Sequence, residues 1–273
     1  MNQDGTSVPG RNRAPLDVDE LRRVLLLEGS LWTALTVSAS TESTNADVVA
    51  AVAAGAPEGL VVTTEHQTAG RGRLDRRWET PPGSGLTVSV LLRPDAVALP
   101  QWTWLPLLAG LAVDLTARDC GVPSGLKWPN DVLVGGRKIS GILLERADGP
   151  AGPAAVVGIG LNVSLTVDEL PVPTATSLAI EGATTVDRGV VLQVLLGHLE
   201  RLYRPWVASA GDPVVLRRDY VEQCLTLGTR VRVDLPDGST LTGVADDVDP
   251  LGRLVVDGRA ISAGDVTHVR PAD

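Results

Sequence analysis

Apolar positions along this chain change their spacing several times, and each change marks an element. Residues 1–15 are polar with glycine and proline and predict a flexible tail. Asp17 or Asp19 is placed to cap a short apolar helix over Leu21–Leu27. Residues 36–45 alternate and then break into a Ser/Thr/Asn turn, with an alanine-rich helix predicted over Asn45–Ala54. The β-branched run Leu60–Glu65 and the apolar run Leu86–Leu92 predict strands. Leu105–Cys120 has helical spacing and stops at Gly121, with Pro123 beyond. Ile139–Glu145 and Ala155–Val163 have the continuous apolar character of buried strands, and Gly189–Val207 that of a long amphipathic helix. The interleaving lacks strict βαβ regularity, so the expected class is α/β with a mixed sheet covered by helices.

Beyond Leu227 the period shortens. Four alternating segments, TRVRVDL, STLTGVADDV, RLVVDG and DVTHV, are separated by turn signals such as Pro236-Asp237-Gly238 and Pro250-Leu251-Gly252. They predict a small β-barrel, joined to the larger body by a helix around Val214–Cys224. The expected division is a tail at 1–15, a main domain at 16–223 and a barrel at 224–273.

Composition narrows the functional classes. With a net charge of −9 and a pI near 4.9, the chain lacks the broad basic surface that a general nucleic-acid binder needs. Cys120 and Cys224, and His66, His198 and His268, are scattered without metal-ligand or disulfide-framework spacing. No apolar run reaches membrane-span length and the first residues lack a signal-peptide core, so a cytoplasmic protein without membrane attachment is expected.

Lys127 and Lys138 are the only lysines among 24 basic residues, and both lie in KWPNDVLVGGRKISG, residues 127–141. A lysine is a compact charge on a flexible stem where arginine is a planar fork, so the segment fits either charge chemistry or a chance pairing. Gly70-Arg71-Gly72-Arg73, followed by Arg76, Arg77 and Trp78, fits either an anion-binding loop or a solvated one. Pro129 sets an extended or turn geometry from which Asn130 and Asp131 project. Asp131 fits either a Mg²⁺ carried by nucleotide phosphates or a pairing with lysine.

KWPND followed by RKISGILLE resembles the signature of biotin protein ligases. Ser43-Thr44-Asn45, Gln67 ahead of GRGR, and Gly158-Ile159-Gly160-Leu161-Asn162-Val163 are similar to further motifs of that family, in the family's order, from about Ser40 onward. One departure stands out. The family loop reads GRGRRGRxW, whereas Leu74 and Asp75 replace its arginine and glycine here, while Arg71, Arg73, Arg76 and Trp78 still align.

The resemblance implies a catalytic domain like that of class II aminoacyl-tRNA synthetases with a C-terminal SH3-like barrel. It also implies a two-step ligation: biotin attacks the α-phosphate of ATP to give biotinyl-adenylate and pyrophosphate, and a lysine of a biotin carboxyl carrier domain of acyl-CoA carboxylases then captures the biotinyl group. By resemblance, Lys138 and Arg71 are the candidate catalytic groups. Ser43, Thr44, Asn45, Gln67, Arg71, Gly72, Arg73 and Lys138 are the candidates for biotin. Arg73, Trp78, Lys127, Asn130, Asp131 and Asn162 are the candidates for ATP and the adenylate, with Asp131 for Mg²⁺. Trp32, Trp102, Trp104 and Trp206 read as core aromatics. The short stretch ahead of Ser40 carries no helix-turn-helix pattern, so no DNA binding is expected; a weak homodimer is compatible with the family. A lipoate ligase is the nearest alternative, and a non-enzymatic binding module a more distant one.

Overall fold

The structure is a computed structural model that describes residues 13–73, 76–262 and 264–268. Residues 1–12 of the expected tail, and Leu74 and Asp75, lie outside the described residues. Arg13 is bound to Ser164 O and Glu169, and Leu16 N donates to Glu65 Oε1 at 2.7 Å, so the chain is anchored from Arg13 onward.

Seven strands form one sheet. They are β1 (Ala34–Ser38), β2 (Leu60–Thr64), β3 (Gly85–Leu92), β4 (Gly125–Lys127), β5 (Asp131–Val134), β6 (Arg137–Gly149) and β7 (Gly152–Asn162), in the order β1-β2-β3-β7-β6-β5-β4. Only β1 and β2 pair in parallel; the other pairs are antiparallel, which gives the mixed sheet expected. The two strands read as Ile139–Glu145 and Ala155–Val163 are longer than predicted and close as one hairpin, because the polar stretch Arg146–Pro153 continues the ladder with Ala147 and Ala154 buried.

Helix α1 (Val18–Leu25) starts at Asp17, whose carboxylate accepts from Glu20 N, one of the two caps anticipated. It, α3 (Trp104–Asp119) and α4 (Arg188–Ala208) pack on one face of the sheet, while α2 (Thr44–Ala53) packs on the other. The alternation of β3 explains the division: Leu86, Val88, Val90 and Leu92 join the large core under α3 and α4, whereas Thr87, Ser89 and Leu91 face α2. α3 is apolar nearly all round and buried on nearly all sides. Trp32, Trp102, Trp104 and Trp206 are all buried in that core.

Helix α5 (Val214–Gln223) leads to β8 (Arg230–Asp234), β9 (Thr240–Val248), β10 (Leu254–Val256), β11 (Arg259–Ile261) and β12 (Asp265–His268), one antiparallel sheet in the order β11-β10-β9-β8-β12. Five strands replace the four predicted, since a turn at Asp257-Gly258 folds the three-residue β11 back on β10. The two sheets share a continuous core, reinforced by indole donors: Trp104 Nε1 to Pro250 O and Trp128 Nε1 to Gly252 O, both at 2.9 Å. The small sheet is thereby fixed beside the KWPND turn. Among the described residues no helix is long and apolar enough to cross a membrane.

Candidate active site

A cleft of about 880 Å³ opens on the α2 side of the sheet, where the ends of β5, β6 and β7 meet the loop Gly70–Trp78 and strand β12. Ser43, Thr44, Asn45, Gln67, Arg71, Gly72, Arg73, Trp78, Lys127, Asn130, Asp131, Lys138 and Asn162 all line it.

The Ser43-Thr44-Asn45 turn starts α2. Ser43 caps the helix, its hydroxyl accepting from Ala46 N, and Thr44 N and Oγ1 both donate to Gln67 Oε1, at 2.9 and 3.1 Å. Asn45 Nδ2 donates to Glu145 Oε2 at 2.6 Å, and Ser89 Oγ lies within hydrogen-bond distance of both Thr44 Oγ1 and Asn45 Oδ1. Thr44 and Asn45 are therefore buried polar groups with partners, and they fix the helix start against the sheet. Gln67 is held by the same network.

Glycines make the floor. Gly158 stands opposite Ser89 on β3, and Gly160 stands opposite Thr87 on β3 and Gly141 on β6. A Cβ on Gly158 would run into the Asn45 carboxamide, and one on Gly160 into the Trp78 indole. The bare backbone seats both side chains. The Trp78 Nε1 donor is buried there without a partner among the described residues, while Lys138 Nζ stands 5.9 Å above the same ring.

Lys138 is the second residue of β6, with its backbone tied to Thr174 O and Thr176 N, and its ammonium lies 2.6 Å from Asp131 Oδ1. Asp131 sits opposite Lys127 across the β4–β5 pair, so one carboxylate lies between the two lysine-bearing strands. The Trp128–Pro129 peptide is cis. Asn130 buckles the turn: its Nδ2 donates to Ile142 O at 2.8 Å and its Oδ1 accepts from Arg73 Nη1 at 2.9 Å. Asn162 Nδ2 donates to Thr176 O at 2.8 Å, holding the end of β7 to the segment that backs Lys138.

The arginines differ in their employment. Arg73 spans Asn130 and Gly264 O, Arg76 pairs with Asp265, and Arg77 lies 3.6 Å from Glu79. Burial pulls the Arg73 guanidinium below its ordinary value against the opposing pull of Asp131 and Asp265, and it remains a cation. Arg71 has no side-chain partner among the described residues and is exposed at the cleft. The side chains available to an incoming anion are thus Lys138, Arg71 and Lys127.

Set beside known proteins, the N-terminal part of the chain, residues 37–162, matches the model of the biotin/lipoate A/B protein ligase family, and residues 226–269 match that of the biotin protein ligase C-terminal domain. Over 269 residues it is 45% identical to the biotin--[acetyl-CoA-carboxylase] ligase of Mycobacterium tuberculosis, covering 95% of this chain and 98% of that protein. The chain belongs to the biotin protein ligase family. A Paracoccus denitrificans protein of the same name is 32% identical, with 81% of this chain and 93% of the relative covered. The structure of the Aquifex aeolicus biotin protein ligase in complex with biotin and ATP superposes with a TM-score of 0.73 at 27% identity, covering 88% of this chain and all of that one. The catalytic sheet and small C-terminal barrel of the family account for both sheets seen here.

Gly141, inside RKISGILLE, adds to the floor through its direct pairing with Gly160, which shows only in the β6–β7 register. Two groups of cleft residues lie outside the family motifs. Pro171, Val172, Thr174 and Ala175 form a wall that no sequence pattern marks. Asp265, Thr267 and His268 reach in from β12, more than a hundred residues from the motifs they face. Burial, and secondarily Lys127, lower the pKa of His268.

Proposed function

We propose that this protein activates biotin with ATP and transfers it to a lysine of a biotin carboxyl carrier domain of an acyl-CoA carboxylase. The observation that carries the reading is Lys138: one ammonium, tethered to Asp131 at 2.6 Å and poised over the Trp78 ring, in a cleft where Arg71 and Lys127 also stand available to an anion. Two anions must meet in the first step. A carboxylate oxygen of biotin forms a bond to the α-phosphorus, the bond to the bridging oxygen breaks, and pyrophosphate leaves. Cations fixed in advance at that point lower the barrier by offsetting the charge that accumulates. Lys138 stands between the reactants, and its flexible stem lets the charge follow the reaction. Arg71 binds the phosphate side.

Biotin's ureido ring is neutral and needs fixed hydrogen bonds in an apolar wall. Ser43, Thr44 and Gln67 supply the polar groups at the α2 end, and Leu143, Val172 and Ala175 the apolar ones. Asn130 and Asn162 act by holding backbone in place and Asn45 by tying the Glu145 and Ser89 side chains to the start of α2, so their amides are engaged on the protein. Trp78 covers the adenylate. In the second step the acceptor amine attacks the biotinyl carbonyl carbon, AMP leaves, and the amine gives up a proton.

Mg²⁺ enters with ATP as part of the substrate. Among the described residues no cluster of three ligating side chains exists, so Asp131 fits an ion held chiefly by phosphates and not a resident one.

The test is transfer. With ATP, Mg²⁺ and a carrier domain, the protein should attach biotin to the carrier and leave lipoate unattached; equal labelling by lipoate would replace this reading with lipoate ligation.

A further inference from the structure

The Arg73 guanidinium joins three segments that are far apart in sequence. Nη1 donates to Asn130 of the KWPND turn at 2.9 Å, and Nη2 donates to Gly264 O, beside strand β12, at 3.0 Å. Three residues further on, Arg76 forms an ion pair with Asp265, the first residue of β12. Two arginines of the glycine-arginine run are thus spent on the C-terminal sheet, while Arg71 has no side-chain partner among the described residues.

The C-terminal sheet is itself held rigidly against the catalytic body. Trp128 Nε1 reaches Gly252 O, Trp104 Nε1 reaches Pro250 O, and Thr103 Oγ1 donates to Leu251 O at 2.5 Å. Trp128 precedes the same turn that presents Asn130. Strand β12 and the KWPND turn therefore form one fixed frame, and Arg73 and Arg76 are fastened to it. The exposed Arg76 donates through both terminal nitrogens to the Asp265 carboxylate, its one side-chain partner among the described residues, whereas Arg73 is more buried and bonded on two sides.

We propose that Asp265 is a positioning residue: through Arg76, and together with the Gly264 carbonyl on Arg73, strand β12 sets where the arginine run lies over the cleft and so keeps water from the acyl-adenylate. Asp265 touches no reacting atom in this account; it acts through the arginine. In the absence of acceptor, the reaction being suppressed is hydrolysis. A water oxygen bonds to the biotinyl carbonyl carbon, the bond from that carbon to the phosphate oxygen breaks, AMP leaves, and the proton goes to solvent, giving biotin and AMP.

The experiment compares the full chain with Asp265→Asn, which removes the charge at nearly constant shape, and Asp265→Glu, which restores it. Two readouts are taken. Limited trypsin digestion, mapped by mass, follows cleavage after Arg71, Arg76 and Arg77 relative to cleavage elsewhere in the chain. AMP release with biotin, ATP and Mg²⁺ but no acceptor follows escape of the activated group. This second readout rests on the proposed biotin activation; the first does not. A partly exposed ion pair carries an effect of about two- to fivefold, so Asp265→Asn should raise both rates by about that factor and Asp265→Glu should return them towards the original values. Unchanged cleavage and AMP release in Asp265→Asn would overturn the proposal, as would a Glu variant that behaves like the Asn one. If the unaltered protein releases no biotin-dependent AMP, biotin activation fails as a reading, and the digestion still decides whether Asp265 positions the arginines.

Discussion

Strand β7 has two faces, and they have opposite economies. Ala155, Val157, Ile159 and Leu161 point into the core beneath α3 and α4 and are buried without polar partners. Between them, Gly158, Gly160 and Asn162 turn to the cleft, where two positions carry no side chain at all and the third is bonded to Thr176 O. One face is filled to exclude water, and the other is emptied so that Asn45 and Trp78 can lie on bare backbone. A one-residue alternation separates stability from chemistry, so damage to one face should leave the other largely intact.

Substitutions on the two faces put that separation to the test. Leu161→Ala, on the core face, should lower unfolding free energy by about 2–5 kcal/mol in chemical denaturation, while the folded fraction keeps its affinity for biotin. A large loss of biotin affinity with little loss of stability would show that the faces are not independent. Lys138→Arg should do the reverse, lowering adenylation by about 10²- to 10³-fold at an unchanged unfolding midpoint. Near-normal turnover would mean the charge belongs elsewhere. Gly160→Ala gives a more moderate effect, because its Cβ displaces an indole at the edge of the cleft and not packed core. Strain at the low end of the overpacking range, about 1 kcal/mol, corresponds to a loss of affinity for the adenylate of several- to tenfold; an unaltered affinity would place Trp78 outside the binding surface.

The smallest effect lies away from both faces. The hydrogen bond from the Arg13 guanidinium, with a further one from Thr166 N and then the Arg13 charge, holds the Glu169 carboxyl down to about 2 from its usual 4.5 against the opposing effect of burial. A depressed carboxyl pKa contributes stability above its unfolded value, and that contribution is lost as pH falls through the folded one. The unfolding midpoint of the protein should therefore exceed that of Glu169→Gln slightly at pH 6, with the gap closing between about pH 4.5 and 2. A gap that persists at pH 2 would mean the pairing is not its source.

The sequence was most informative where structure is local. Helix signals placed α3 to within a residue because Gly121 stops it, and the Ser/Thr/Asn turn put the start of α2 at Asn45, one residue past the observed Thr44, whose cap is Ser43. The apolar residues of Ala155–Val163 marked β7 as buried, but its emptied face at Gly158 and Gly160 shows only once the fold lays Asn45 and Trp78 against it. Legibility ended where packing partners come from a distance. The three-residue strands β4 and β11 are too short to show a period, and the wall at 171–175 gains its place only through the backbone of Lys138 and Thr176. The part played by β12 depends on the docking of one sheet against another, which no local pattern in DVTHV encodes.

The central claim is that the cleft above the emptied face activates biotin. Isotope exchange between pyrophosphate and ATP measures that step alone, with no carrier required. Exchange that depends on biotin, is absent with lipoate and is lost in Lys138→Arg is the predicted result; exchange indifferent to biotin, or as fast with lipoate, would contradict it.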